Sequence, residues 1–149
     1  MDKNTVLLSV ACLYKETKGK LRWFIVKQSE VDGWEIPKVL VRKGESSVRA
    51  ALRMMGEKGG MATRVLEEAG RSGGVTTING RTLPQRHLYY LMVTKNSSSE
   101  AIGFPEYLWV EYANAVRKMS LKRDRLMLKA ARKTLIKWKK ERIRKRKKE

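Results

Sequence analysis

One cysteine, one histidine and three prolines are all that 149 residues supply of those types, and each scarcity excludes something. A lone Cys12 cannot close an intramolecular disulfide, so a reduced, intracellular and cytoplasmic setting is expected. With Cys12 and His87 alone there is no Cys/His cluster to hold zinc. No apolar run approaches ~18–20 residues, which excludes a spanning helix, and no membrane partner is expected. The opening "MDKNTVLLSVACLYKE" has an acidic second residue and strand-like alternation, so it does not read as a signal peptide. Acidic side chains are scarce as well: 15 Asp+Glu stand against 34 Lys+Arg, for a formal net charge of +19.

The 149 residues and a 42% apolar content are enough for one folded core. Of the positive charge, +7 falls in "KWKKERIRKRKKE" from Lys137 onward and +12 is spread over the rest. A field of that sign draws in phosphate polyanions, although a solubilising surface explains the body equally well. The terminal block has the form of an interaction tail. Its polyanion-binding candidates are Lys139, Lys140, Arg142, Arg144, Lys145 and Arg146. Residues 1–138 are expected to form a single domain and 139–149 a basic C-terminal extension.

Periodicity predicts strands over 5–14 and 21–28 as a hairpin, then a loop, "SEVDGWEIPK", in which Pro37 interrupts regular structure. A helix follows over 46–58 with Ser46 or Ser47 as its N-cap. A second, short helix is predicted over 61–69, and "RSGGV" as a loop. Strands are expected near 73–83, turning at Asn79-Gly80, and over 85–95 and 107–111. Along 85–95, His87, Tyr89, Leu91 and Val93 alternate with Leu88, Tyr90 and Met92, so both faces should be covered. "ANAVRKM" begins a helix. Ser120 is the predicted N-cap of a long last one, with Leu121, Leu128, Ala131, Leu135 and Trp138 on its buried stripe. This order indicates an α/β (α+β) fold: a mixed sheet flanked by helices.

The stretch "GWEIPKVLVRKGESSVRAALRMMGEKGGM" resembles the Nudix box, G-x5-E-x7-R-E-U-x-E-E-x-G-U with U a bulky apolar residue. Without gaps, Val39 falls on the first glycine, Glu45 on the first glutamate and Arg53 on the arginine. Met54 and Lys58 stand at two further glutamate positions, Glu57 keeps the third, and Gly60 and Met61 close the box. "WEIPK", "GESSVRAALR" and "YLWVEYANAVRKM" resemble segments that flank or follow the box in the Nudix hydrolase superfamily. The likeness covers roughly residues 5–138.

The resemblance implies a Nudix-like fold and Mg²⁺ held by glutamates on one helical face, polarising a pyrophosphate and activating water. A thioether at 54 and an ammonium at 58 are poor replacements for carboxylates. A second register places an insertion before "ATRVLEEAG", making Glu67 and Glu68 the acidic pair, with Arg64 at the leading glutamate. The candidate catalytic residues are therefore Glu67, Glu68 and Glu57, and the candidate Mg²⁺ ligands Glu45, Glu57, Glu67 and Glu68. Lys38 and Arg53 are phosphate candidates, although Arg53 can equally pair with Glu45 or Glu57. His87 reads as a packed side chain before a catalytic one. Trp34, Tyr89, Tyr90 and Trp109 read as packing before base stacking.

Two functions remain open. One is a Mg²⁺-dependent phosphoanhydride hydrolase acting on, or binding, a nucleoside diphosphate-linked nucleotide or dinucleoside polyphosphate. The other is a catalytically silent protein on the same fold that binds RNA, for instance on the ribosome, through its basic surface and tail.

Overall fold

The computed structural model describes residues 4–28, 33–95, 101 and 103–148, apart from the side chains of 76–78 and 148. The first four residues of the expected loop "SEVDGWEIPK", 29–32, and residues 96–100 lie outside the described residues. The elements are β1 (Val6–Thr17), β2 (Lys20–Lys27), β3 (Lys38–Leu40), α1 (Ser47–Glu57), β4 (Arg64–Ile78), β5 (Arg81–Val93), β6 (Glu106–Val110), α2 (Tyr112–Lys118) and α3 (Lys122–Lys148). They form a mixed six-stranded sheet in the order β4-β5-β1-β2-β6, with β3 also on β1.

β1 is the spine. One edge runs parallel to β5, from Val6 opposite Gln85 to Tyr14 opposite Val93. The other edge is shared: β3 pairs antiparallel with Leu8–Val10, and β2 with Tyr14–Thr17. Apolar residues alternate through β1, β2 and β5, and the strand period of two turns that alternation into two cores. Ala11, Leu13, Phe24, Val26, Tyr90 and Met92 pack under α1. Val10, Cys12, Trp23, Ile25 and Leu91 pack under α2 and α3. The two-faced cover expected for 85–95 is therefore present.

α1 begins where its cap permits. The Ser46 hydroxyl accepts the Arg49 amide at 3.1 Å, satisfying one of the donors that a helix start leaves open. Ala50, Ala51, Met54 and Met55 form the buried face. At the far end the Lys58 carbonyl accepts the Gly103 amide at 2.9 Å, and a side chain at 103 would collide with the Lys58 backbone. A glycine is what lets that loop close on the helix end.

The helix predicted over 61–69 is corrected by the structure: β4 starts at Arg64, and "RSGGV" continues it as strand. "VLEEAG" has good helix formers, but pairing along β5 from Val93 to Arg81 outweighs weak local preference. Irregularities between Val65 and Glu67 and between Glu68 and Gly70 add an extra residue at two points. As a result Val65 packs on the α1 side, while Leu66 and Ala69 pack on the α3 side. Apolar residues at 65, 66 and 69 therefore mimic a helical stripe.

Two expectations for α3 also change. The helix starts at Lys122, so Leu121 and not Ser120 occupies the position before it. Leu121 is 45% exposed and contributes nothing to the docking stripe. Leu128, Ala131 and Leu135 are buried as expected, and Trp138 packs at the stripe's end.

Candidate functional site

The box segment folds in its ungapped register. The loop before α1 turns Glu45 back over the helix, where Arg53 Nε donates to Glu45 Oε2 at 2.8 Å and Arg53 Nη2 to Oε1 at 3.0 Å. The same Nη2 donates to the Leu40 carbonyl at 3.1 Å, and the Arg42 amide donates to Glu45 Oε1 at 3.1 Å. A two-pronged guanidinium and a backbone amide favour the charged carboxylate, holding Glu45 down at about 2. Arg53 Nη1 also stands 3.9 Å from Glu57 Oε2, one helical turn away. Arg53 thus makes the pairing with Glu45 and Glu57 that its position on the box allows.

The remaining box positions do not gather carboxylates. Met54 is 1% exposed and sealed in the core under α1. Glu57 is exposed, and Lys58 next to it points its ammonium over the Phe104 ring at 5.9 Å. Glu67 and Glu68 lie in β4, where consecutive side chains leave opposite faces of the sheet. Glu67 is opposite Leu91, a residue of the α3-side core, and Glu68 is opposite Tyr90, a residue of the α1-side core. On the expected helix the two carboxylates would have converged; on a strand they part. Glu68 is taken up by Arg71, whose Nε donates to it at 2.6 Å.

Tyr90 meets the hydroxyl of Ser47 at the first residue of α1, whereas Glu57 is the last, about 15 Å further along the helix axis at ~1.5 Å per residue. Among the described residues, no three His, Cys, Asp or Glu side chains stand together where they would hold a metal ion. The Mg²⁺ donor set that the box resemblance implies is not assembled by these residues.

Lys38, a phosphate candidate from the sequence, is engaged beneath α3. Its Nζ donates to Asp124 Oδ2 at 2.8 Å and to the Ile36 carbonyl at 3.0 Å, with Glu35 Oε1 at 3.8 Å. Asp124 is fully buried, and its Oδ2 also accepts the Ile36 amide at 3.2 Å. Sequence reasoning did not single out Asp124. The available signal was one acid in the otherwise basic first turn of α3, in "LKRDR".

His87 faces the same side, fully buried beside Gln85. Gln85 and His87 share a buried hydrogen bond, with Gln85 Nε2 3.0 Å from His87 Nε2. Burial, followed by the charges of Arg123 and Lys38, lowers this histidine to about 4. The packed reading of His87 holds. Tyr90 is core. Tyr89 packs against the α3-side core and Trp34 beside it, while Trp109 lies against Phe24 with ring centroids 4.8 Å apart.

The polyanion candidates all lie on the last turns of α3, which continues unbroken to Lys148. Lys139 Nζ reaches Glu16 at 2.9 Å, and Arg142 stacks over Trp138 at 4.9 Å. Residues 140–147 are all exposed.

No family model and no curated protein sequence matches the chain. Solved structures do. An Ap4A hydrolase from C. elegans, in a binary complex, covers 88% of this chain and 98% of its own, with a TM-score of 0.72 at 19% identity. This chain has the Nudix fold. The NUDIX domain of Shewanella oneidensis NrtR, complexed with ADP ribose, matches with a TM-score of 0.72 at 17% identity over 90% of both chains. The E. coli dihydroneopterin triphosphate pyrophosphohydrolase matches at 0.66 and 12% identity, covering 82% of this chain and 91% of that one. The fold is therefore the one that the box resemblance implied. These identities speak for the fold; the chemistry rests on the residues just described.

Proposed function

We propose that this protein is a metal-independent member of the Nudix fold that binds RNA through the basic end of α3. One observation carries the reading: the box helix places Met54, sealed in the core, where a Mg²⁺ site would need a carboxylate. A hard divalent ion requires several converging oxygens, and Glu45 is held by Arg53 while Glu57 stands apart from Glu67 and Glu68. The overall charge of +19 and the exposed cations of α3 support a phosphate polymer as partner. A membrane surface is a poorer fit, because the extension has only Ile143 as an apolar residue past Trp138 and no apolar face to bury. The hydrolase reading, with Ap4A or ADP-ribose as the ligand class of proteins sharing the fold, needs the missing oxygens.

Two measurements test this. Calorimetric titration with Mg²⁺ and Mn²⁺ should give no saturable binding, and no metal-driven release of product should occur from Ap4A or ADP-ribose. Fluorescence anisotropy with labelled RNA over a salt series should give an affinity that falls steeply, with a slope of ~0.7–0.9 per phosphate contact. Truncation after Trp138 should weaken binding and flatten that slope. Saturable Mg²⁺ binding with turnover would restore the hydrolase. Unchanged RNA binding by the truncated chain would reduce the extension to a solubilising tail.

A further inference from the structure

The extension is a helix, so its charges have fixed directions. At about 100° per residue, Arg142, Lys145 and Arg146 continue the side of α3 that carries Trp138. With Trp138 and Glu141 they border one groove of the helix surface. Lys140, Arg144 and Lys147 point the opposite way and border a second groove around Ile143. All six are exposed. A helix made to lie on a flat anionic surface needs cations on one side only. This one carries a matching triplet on each of two opposite sides.

Resting on the RNA-binding reading above, we propose that the extension enters a groove of folded RNA and contacts the phosphates on both walls at once. With side chains a helix is about 10–12 Å across, and the deep groove of regular A-form RNA is too narrow to admit it. The partner is therefore a stem whose deep groove is opened by an internal loop or bulge, with phosphates facing each other across the opening. A helix end anchored by Leu135 and Trp138 keeps the rod in a set direction relative to the Nudix-fold body.

The test uses the full chain and two triple variants, Arg142→Gln/Lys145→Gln/Arg146→Gln and Lys140→Gln/Arg144→Gln/Lys147→Gln. Glutamine keeps helix propensity, and circular dichroism with a thermal melt confirms that both variants fold. The probes are an RNA stem with an internal loop, an uninterrupted stem, a single strand of equal length and a B-form DNA duplex.

The stem with the internal loop should bind tightest. Each triple substitution should weaken it by roughly 10²-fold near physiological salt and lower the salt slope by ~2–3, as loss of three phosphate contacts requires. If one triple removes the binding and the other has no effect, the helix lies on a surface and the groove proposal fails, while RNA binding by the extension stands. If the single strand, the uninterrupted stem or the DNA binds as tightly as the opened stem, the proposal fails too. If neither triple nor truncation after Trp138 changes binding, the RNA-binding reading itself is overturned.

Discussion

Replacing Asp124 with alanine should be among the most damaging single changes available in this protein. The substitution strips Lys38 of a partner 2.8 Å away at a site where the lysine side chain is only 10% exposed, and strips the Ile36 amide of its acceptor. Removing one member of a buried ion pair costs ~3–5 kcal/mol, because an uncompensated charge remains. Glu35, 3.8 Å from Lys38, offers partial compensation and puts the expectation at the lower end. Against a total stability of ~5–15 kcal/mol this is a large fraction.

The double variant Lys38→Met/Asp124→Leu should recover most of the loss, since apolar replacement of a buried pair is often neutral or better. A residual cost of ~1–3 kcal/mol is expected from the orphaned Ile36 amide. Urea unfolding at pH 7 of the native chain, Lys38→Met, Asp124→Leu and the double variant closes the cycle, with a coupling energy of at least ~2 kcal/mol. A loss below ~1 kcal/mol for Asp124→Ala, with additive behaviour in the double variant, would refute the argument. It would also favour Lys38 as a phosphate ligand, since its pairing with Asp124 would then not serve the fold.

Three shorter predictions concern other parts of the fold. His87 is lowered from 6.5 to about 4 by burial, so the unfolded chain takes up its proton first. The stability it contributes is therefore complete above pH 6.5 and drains away as pH falls toward 4; denaturant midpoints measured over that range should fall, and His87→Leu should flatten the fall. Cys12 is fully buried and its thiol is pushed up to about 12, so an aromatic disulfide reagent should label it only at the rate of unfolding, and labelling within mixing time under native conditions would contradict its placement. Gly103→Ala should cost ~1–3 kcal/mol in a thermal melt, through the clash with the Lys58 backbone that holds the end of α1.

The sheet's centre was legible because β1, β2 and β5 write their two-faced burial directly as alternation, and α1 was legible from Ser46 and its apolar spacing. β3 was not, since its three residues follow Pro37 and are placed by β1 rather than by any pattern of their own. β4 was misread because its irregularities disguise a period of two, and helix-forming Leu66, Glu67, Glu68 and Ala69 supplied a false local preference. That error carried straight into the site, turning two diverging glutamates into an apparent pair. The Glu45–Arg53 contact was readable from box spacing, the two standing eight positions apart with Glu45 just ahead of α1. The Lys38–Asp124 pair was not, because it joins positions 86 residues apart and depends on α3 docking over the strand entry.

The place of β1 at the heart of the sheet has a consequence for how the chain reaches its native state. Its longest partner is β5, whose residues pair with it 79 positions further along the chain, and sheets built on such distant parallel pairings fold slowly, toward milliseconds to seconds. The β1–β2 hairpin, closed by Lys18 and Gly19 in left-handed backbone, is local and forms within microseconds. Until β5 arrives the hairpin leaves one backbone edge of β1 unpaired and both of its apolar faces open to solvent. During synthesis the chain must therefore be made past Val93 before its most hydrophobic strand is covered, and a nascent chain halted before that residue should be the form that chaperones hold.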